Sequence, residues 1–136
     1  MTAVSELKVE TERRTQLVDI TEKVEAAVEG AEGTLATLFV PHTTAGVVLQ
    51  AAGEGASAVA GDVESAFELL VDEGWAWRHI DEGDRNPWAH VRTALTASSL
   101  SIPLEGGRLA LGGHQAVFLA EFDGPGERTI RVIVTS

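Results

Sequence analysis

The sequence has no cysteine, only two lysines (Lys8 and Lys23), and no unbroken apolar run near the roughly 18 residues that a membrane span requires. Without cysteine there are no disulfides, no thiolate ligands and no cysteine nucleophile, so any metal falls to histidine, carboxylate or amide groups. The absence of a long apolar run excludes a spanning helix. Residues 1–14 are polar and charged and offer no signal-peptide core, so a cytoplasmic location is expected. Positive charge is scarce as well: 10 basic residues stand against 21 acidic ones, a net charge of -11. Such a surface repels nucleic acid and anionic membranes, whose recognition needs clustered Lys and Arg. Few lysines among many carboxylates favour a salt-rich cytoplasm, where ionic screening weakens the negative field, over an ordinary acidic bacterial protein.

What is present points to one globular domain spanning residues 1–136. The chain has the commonest domain length, and its 44% hydrophobic residues are spread along it. Alternating runs at 5–10 and 14–20 predict two strands. Thr21 is expected to N-cap an amphipathic helix built on Val24, Ala27 and Val28 and stopped by Gly30 and Gly33. Residues 34–40 and 46–50 predict buried strands on either side of a Pro-His-Thr-Thr turn. Residues 56–72 predict a helix whose apolar stripe runs through Val59, Val63, Ala66, Phe67, Leu70 and Val71, with Asp62, Glu64 and Glu68 largely outside it. A long polar and aromatic stretch, 74–90, follows. Asn86-Pro87 marks the start of a short helix carrying His90 and Arg92. Strands are predicted again at 99–104, 108–111, 116–122 and 129–135, with glycine-rich turns at 105–107 and 123–126. β-rich ends around a helical middle, without βαβ alternation, give an α+β domain with a mainly antiparallel sheet.

Imidazole is the side chain here that can both ligate a metal and exchange protons near neutrality. The four histidines all fall at turns or element ends: His42 between strands, His79 and His90 flanking the polar loop, His114 before a strand. Spacing alone fits no standard zinc motif and leaves surface or core roles open. Asp81, Glu82 and Asp84 near His79 are suited to orient a histidine, accept a proton or complete a coordination sphere, or else to form a solvated acidic loop. Arg78, Arg85 and Arg92 bracket the same loop. Cations retained against such an acidic background suggest a phosphate-bearing ligand, the alternative being exposed pairing with the neighbouring carboxylates. Trp75, Trp77 and Trp88 suit either a pocket for a flat ring or interior and interface packing.

Taken together, Pro41-His42-Thr43-Thr44-Ala45, then Trp77-Arg78-His79 leading to Ala89-His90-Val91-Arg92, then Leu111-Gly112 through Gln115 to Glu121-Phe122-Asp123-Gly124, follow in the order and spacing of the YjbQ-like family. The sequence resembles that family over nearly its whole length. The family carries the description of a secondary thiamine-phosphate synthase. The resemblance implies a sandwich-like α+β fold, a homotrimer, and a site holding His42, His79 and His90, often with a divalent metal; imidazole ligands suit zinc. Gln115 is expected on the substrate side of that site, and His114, which stands where the family has an aromatic, is expected as an auxiliary catalytic group nearby. Two departures stand out: Gln50-Ala51-Ala52 replaces the family's Asn-Glu-Asn, and Gly112-Gly113-His114-Gln115 replaces Gly-Thr-Trp-Gln.

Three functions follow. One is the family's reaction, joining a pyrimidine pyrophosphate to a thiazole phosphate, with arginines or a metal on the leaving pyrophosphate and an aromatic wall for the rings. A second is metal-assisted hydrolysis with Glu82 or Asp84 as base. The third is a trimeric module that binds a metal or a small phosphorylated metabolite without turnover.

Overall fold

The computed structural model describes residues 3–78 and 86–136. Its elements run β1 (Ala3–Thr11), β2 (Gln16–Asp19), α1 (Thr21–Val28), β3 (Leu35–Phe39), β4 (Ala45–Ala51), α2 (Ala56–Leu70), α3 (Pro87–Ala94), β5 (Ser99–Glu105), β6 (Arg108–Leu109), β7 (Gln115–Glu121) and β8 (Gly126–Thr135). This is the α+β architecture expected. The strands form two antiparallel sheets, one ordered β1-β8-β3-β5-β6 and the other β2-β7-β4. Together they curl into a half-barrel.

Layering follows from which faces are apolar. Residues 116–120 form an uninterrupted apolar run, as expected of a strand covered on both sides. Val117 and Leu119 face the larger sheet and pack with Val9, Leu38, Ile102, Ile130 and Val132. Ala116, Phe118 and Ala120 face the other way, into a cluster with Phe122, Phe67 and Trp88 that α2 and α3 cover. Phe67 and Phe122 meet edge-on with centroids 4.9 Å apart, an aromatic pair worth about 0.5–1.5 kcal/mol beyond its buried area. Helix α1 sinks Val24 and Val28 into the first cluster. Between β5 and β6, Gly106 and Gly107 both adopt positive φ (59° and 75°), the backbone a two-residue hairpin turn requires. The larger sheet ends in β1, which carries Glu6, Lys8 and Glu10, and in the two-residue β6.

Three local expectations are corrected. Thr21 is the first helical residue of α1, and Ile20 holds the N-cap position without a side-chain cap. The acceptor comes from two residues earlier in the chain: Asp19 Oδ1 receives the Thr21 amide at 2.9 Å and the Thr21 hydroxyl at 2.7 Å, while the hydroxyl oxygen accepts the Val117 amide at 2.8 Å. Along α2, Glu64 belongs to the buried face with Ala60, whereas Leu69 and Leu70 are exposed. The carboxylate is tolerated there because Arg13 pairs with it at 3.0 and 3.2 Å and the Leu17 amide donates to it at 2.7 Å. Asn86 stands at the N-cap of α3 with Pro87 behind it, as read from sequence, but its side-chain amide donates to Asp123 at 2.7 Å instead of capping. Among the described residues no helix is long and apolar enough to cross a membrane.

Candidate functional site

Two of the histidines line separate cavities. The first cavity, about 640 Å³, is bounded by Ala76, Trp77, Arg78, Pro87, His90 and Val91, between the segment leaving α2 and the start of α3. Trp77 is fixed from both sides: its indole N–H lies 3.2 Å from the carbonyls of Asp72 and Glu73, and its ring stacks on Trp75 at 5.3 Å. Arg78 is exposed at the rim. The walls therefore offer an aromatic face, an exposed positive charge and an imidazole around an apolar floor, a combination suited to a flat, negatively charged ligand.

Arg92 has a different position. Only 1% exposed, its guanidinium donates to the Val71 carbonyl at 3.2 and 2.8 Å and to the Thr15 hydroxyl at 3.2 Å, with the Glu73 carboxylate 3.9 Å away. Burial pushes its pKa down and Glu73 opposes the shift. Arg14 also binds Glu73, at 2.7 Å, and lies over the Trp88 ring at 5.6 Å. These contacts tie the β1–β2 turn to the end of α2 and to α3, so Arg92 props the wall of the cavity from behind.

The second cavity, about 520 Å³, is lined by Phe39, Val40, Pro41, His42, Thr43, Thr44 and Ser98. It forms where β3 stops. In the β3–β8 register Phe39 faces Arg131, so the next rung would set Pro41 against Thr129. The strand has ended by then, and His42 Nε2 accepts the Thr129 amide at 3.0 Å in its place. Half-burial holds the His42 pKa below the usual histidine value; Arg128 adds to the effect and Glu121 opposes it.

Glu121 stands in a recognised motif but without a role read from it, and Arg128 lies outside the motifs. Glu121 is wholly buried between the sheets, where it accepts Arg128 Nε at 2.6 Å and the Thr11 hydroxyl at 2.8 Å, while Arg128 Nη2 donates to the Asp123 carbonyl at 2.9 Å. Parity along the strands was the available signal. Glu121 shares a strand face with Val117 and Leu119, and Arg128 shares one with Ile130 and Val132, which places both inward.

His114 and Gln115 are exposed and sit at the opposite end of the β4–β7 pair. Ala45 faces Glu121 near His42, whereas Ala51 faces Gln115, six rungs or about 20 Å further along. There the Ala52 amide donates to the His114 carbonyl at 3.0 Å and the Gly112 amide to Gln115 Oε1 at 2.8 Å. The two departures noted in the sequence are thus neighbours in space. His79, Glu82, Asp84 and Arg85, along with Asp81, lie outside the described residues.

Of the histidines expected to share a metal, His42 and His90 are described. His42 Nε2 is engaged by the sheet, His90 lines the other cavity, and no group of three His, Cys, Asp or Glu among the described residues could hold an ion. The described residues of one subunit do not fit a metal centre by themselves.

Comparison with known proteins adds the family. The model of the family described as UPF0047 protein YjbQ-like matches residues 5–136. A UPF0047 protein of Archaeoglobus fulgidus is 40% identical over 129 residues, covering 95% of this chain and 97% of its own, and the UPF0047 protein YugU of Bacillus subtilis is 36% identical, covering 90% and 92%. Among solved structures, a YbjQ-like protein of unknown function from Sulfolobus solfataricus superposes with a TM-score of 0.89 at 30% identity, over 98% of this chain and 96% of that one. A hypothetical protein from Aeropyrum pernix K1 gives 0.88 at 34%, over 98% and 99%. With the resemblance in its ordered motifs now matched along the length of the sequence and in the fold, this chain belongs to the YjbQ-like UPF0047 family.

Proposed function

We propose that the protein is a transferase acting on phosphorylated heterocycles, joining a pyrimidine pyrophosphate to a thiazole phosphate. The observation that carries this reading is the first cavity, where Trp77, Arg78 and His90 surround an apolar space of about 640 Å³. In the reaction the thiazole nitrogen forms a bond to the exocyclic methylene carbon of the pyrimidine as the carbon–oxygen bond to pyrophosphate breaks, giving thiamine phosphate and pyrophosphate. Trp77 supplies a stacking face for a ring, and Arg78 takes up the charge that develops on the departing pyrophosphate. His90 stands at the same wall as a hydrogen-bond partner. The test is direct: purified protein given both substrates should release thiamine phosphate and pyrophosphate in equal amounts, and Arg78→Ala should lose most of that turnover. No product from wild type under conditions where both substrates bind would remove the reading.

A second reading, a module that binds such metabolites without turnover, is favoured by Gln50-Ala51-Ala52, where the family pattern has a carboxylate and two amides. Binding without product would select it. Zinc on His42, His79 and His90 is the competing account of these histidines, and metal analysis of the purified protein and of His79→Ala answers it. The homotrimer is a separate proposal, with exposed Leu69, Leu70 and Trp75 at the subunit boundary.

A further inference from the structure

His42 accepts a backbone amide through Nε2, and this fixes the chemistry of its other nitrogen. A neutral imidazole has one N–H and one bare nitrogen; the nitrogen that accepts is bare, so the proton is on Nδ1. Were the ring to be protonated, Nε2–H would confront the Thr129 N–H, donor against donor. The same bond occupies the electron pair on Nε2 that a metal would need. Around the ring, Thr43, Thr44 and Ser98 add hydroxyls to the lining of the second cavity.

The geometry points to His42 as a neutral Nδ1–H donor that binds an oxyanion of a phosphorylated ligand in this second cavity, and not as a metal ligand through Nε2. The inference rests on the phosphorylated-substrate reading above and deepens it. A reaction between two phosphorylated substrates needs two anion subsites. Arg78 serves one with a charge; His42 and its neighbouring hydroxyls serve the other with neutral donors, which hold an anion without the cost of burying a second cation.

Histidine-15N-labelled protein reads this directly. Long-range proton–nitrogen correlation should show Nδ1 as the protonated nitrogen of His42 and Nε2 as the bare one, and titration with inorganic pyrophosphate should move the Nδ1–H resonance while the Thr129 amide stays hydrogen-bonded. Two variants separate the ring's functions. His42→Gln keeps an acceptor near Nε2 and loses the Nδ1 donor, so it should fold as wild type and bind pyrophosphate about tenfold more weakly, the size of one hydrogen bond to a charged group. His42→Asn keeps a donor near Nδ1 and loses the cap on Thr129, so it should be less stable yet retain more affinity than His42→Gln. An Nε2–H tautomer, wild-type affinity in His42→Gln, or zinc binding that moves Nε2 and releases the Thr129 amide would each overturn the inference. Wild type that binds no pyrophosphate at all would instead bring down the phosphorylated-substrate reading, and the donor role with it.

Discussion

The Glu121 carboxylate lies 2.6 Å from Arg128 Nε, at a point between the sheets where Glu121 has no exposed surface. The pair closes the end of an otherwise apolar interior, next to His42. Removing one partner strands a buried charge. Arg128→Met should therefore cost about 3–5 kcal/mol, and Glu121→Leu combined with Arg128→Met should recover much of the loss. Urea unfolding of the single and double variants measures both, and additive losses would contradict the pairing.

The two arginines of the α3 region should part company. Arg78→Ala is expected to weaken pyrophosphate binding by about 1.5–3 kcal/mol with little change in stability, because its side chain stands at the cavity rim. Arg92→Ala should destabilise the fold by about 3 kcal/mol, because it leaves the Val71 carbonyl and Glu73 without their buried partner. Calorimetry with pyrophosphate alongside thermal melts distinguishes the two; equal affinity losses in both would place Arg92 in the site.

Stability should fall on mild acidification, with His42 as a contributor. Its folded pKa lies below the ordinary value of 6.5, so the unfolded chain binds the proton more readily. The contribution is complete above the unfolded pKa and is lost as pH falls from there through the folded pKa. Urea midpoints measured from about pH 8 to about pH 5 should drop more in wild type than in His42→Gln, which has no group titrating at that position.

Gly46 sits on β4 where the strand passes close to the segment joining α3 to β5. A Cβ there would collide with the Thr96 hydroxyl and approach the Ala97 carbonyl to 2.9 Å. The Val47 amide donates to that same carbonyl at 2.8 Å, which limits any retreat. Gly46→Ala is expected to cost about 1–3 kcal/mol in thermal or urea unfolding, and a neutral outcome would mean that the linker yields.

The proposed trimer makes its own prediction. Trp75 is 50% exposed on a single subunit, and burial of that surface between copies would be undone by a charge. Light scattering at high salt should report three subunits for wild type and smaller species for Trp75→Glu. A monomeric wild type would dispose of the assembly.

The helices and strands were largely legible because periodicity and turn residues report local structure. The run at 116–122, Pro87 behind Asn86, and the Gly106-Gly107 turn each announced their element. What escaped depended on partners distant in sequence. Nothing near Glu64 shows that Arg13 will neutralise it, so the carboxylate's place on the buried face of α2, and the exposure of Leu70 from the expected stripe, could not be read. Thr21 looked like a cap because Ser and Thr usually are, but Asp19 stood in the better place. At the candidate site, the histidine turn and the Trp-Arg segment were legible as polar segments, and each lines a cavity. The division into two cavities was not, since it follows from where β3 ends relative to β8. Arg92 looked equivalent to Arg78 in charge and neighbourhood, and helix geometry alone sent it inward.

The rims of the larger sheet bear on crowding. A long free strand edge invites another chain to extend the ladder, the first step toward templated aggregation. Here β6 offers only two residues, and the outer rim of β1 alternates Glu6, Lys8 and Glu10 with its apolar positions, Lys8 lying 3.7 Å from Glu6. An incoming strand would have to align its own charges against that pattern and desolvate them. At both rims of this larger sheet, edge-to-edge growth between copies of the protein is thereby disfavoured.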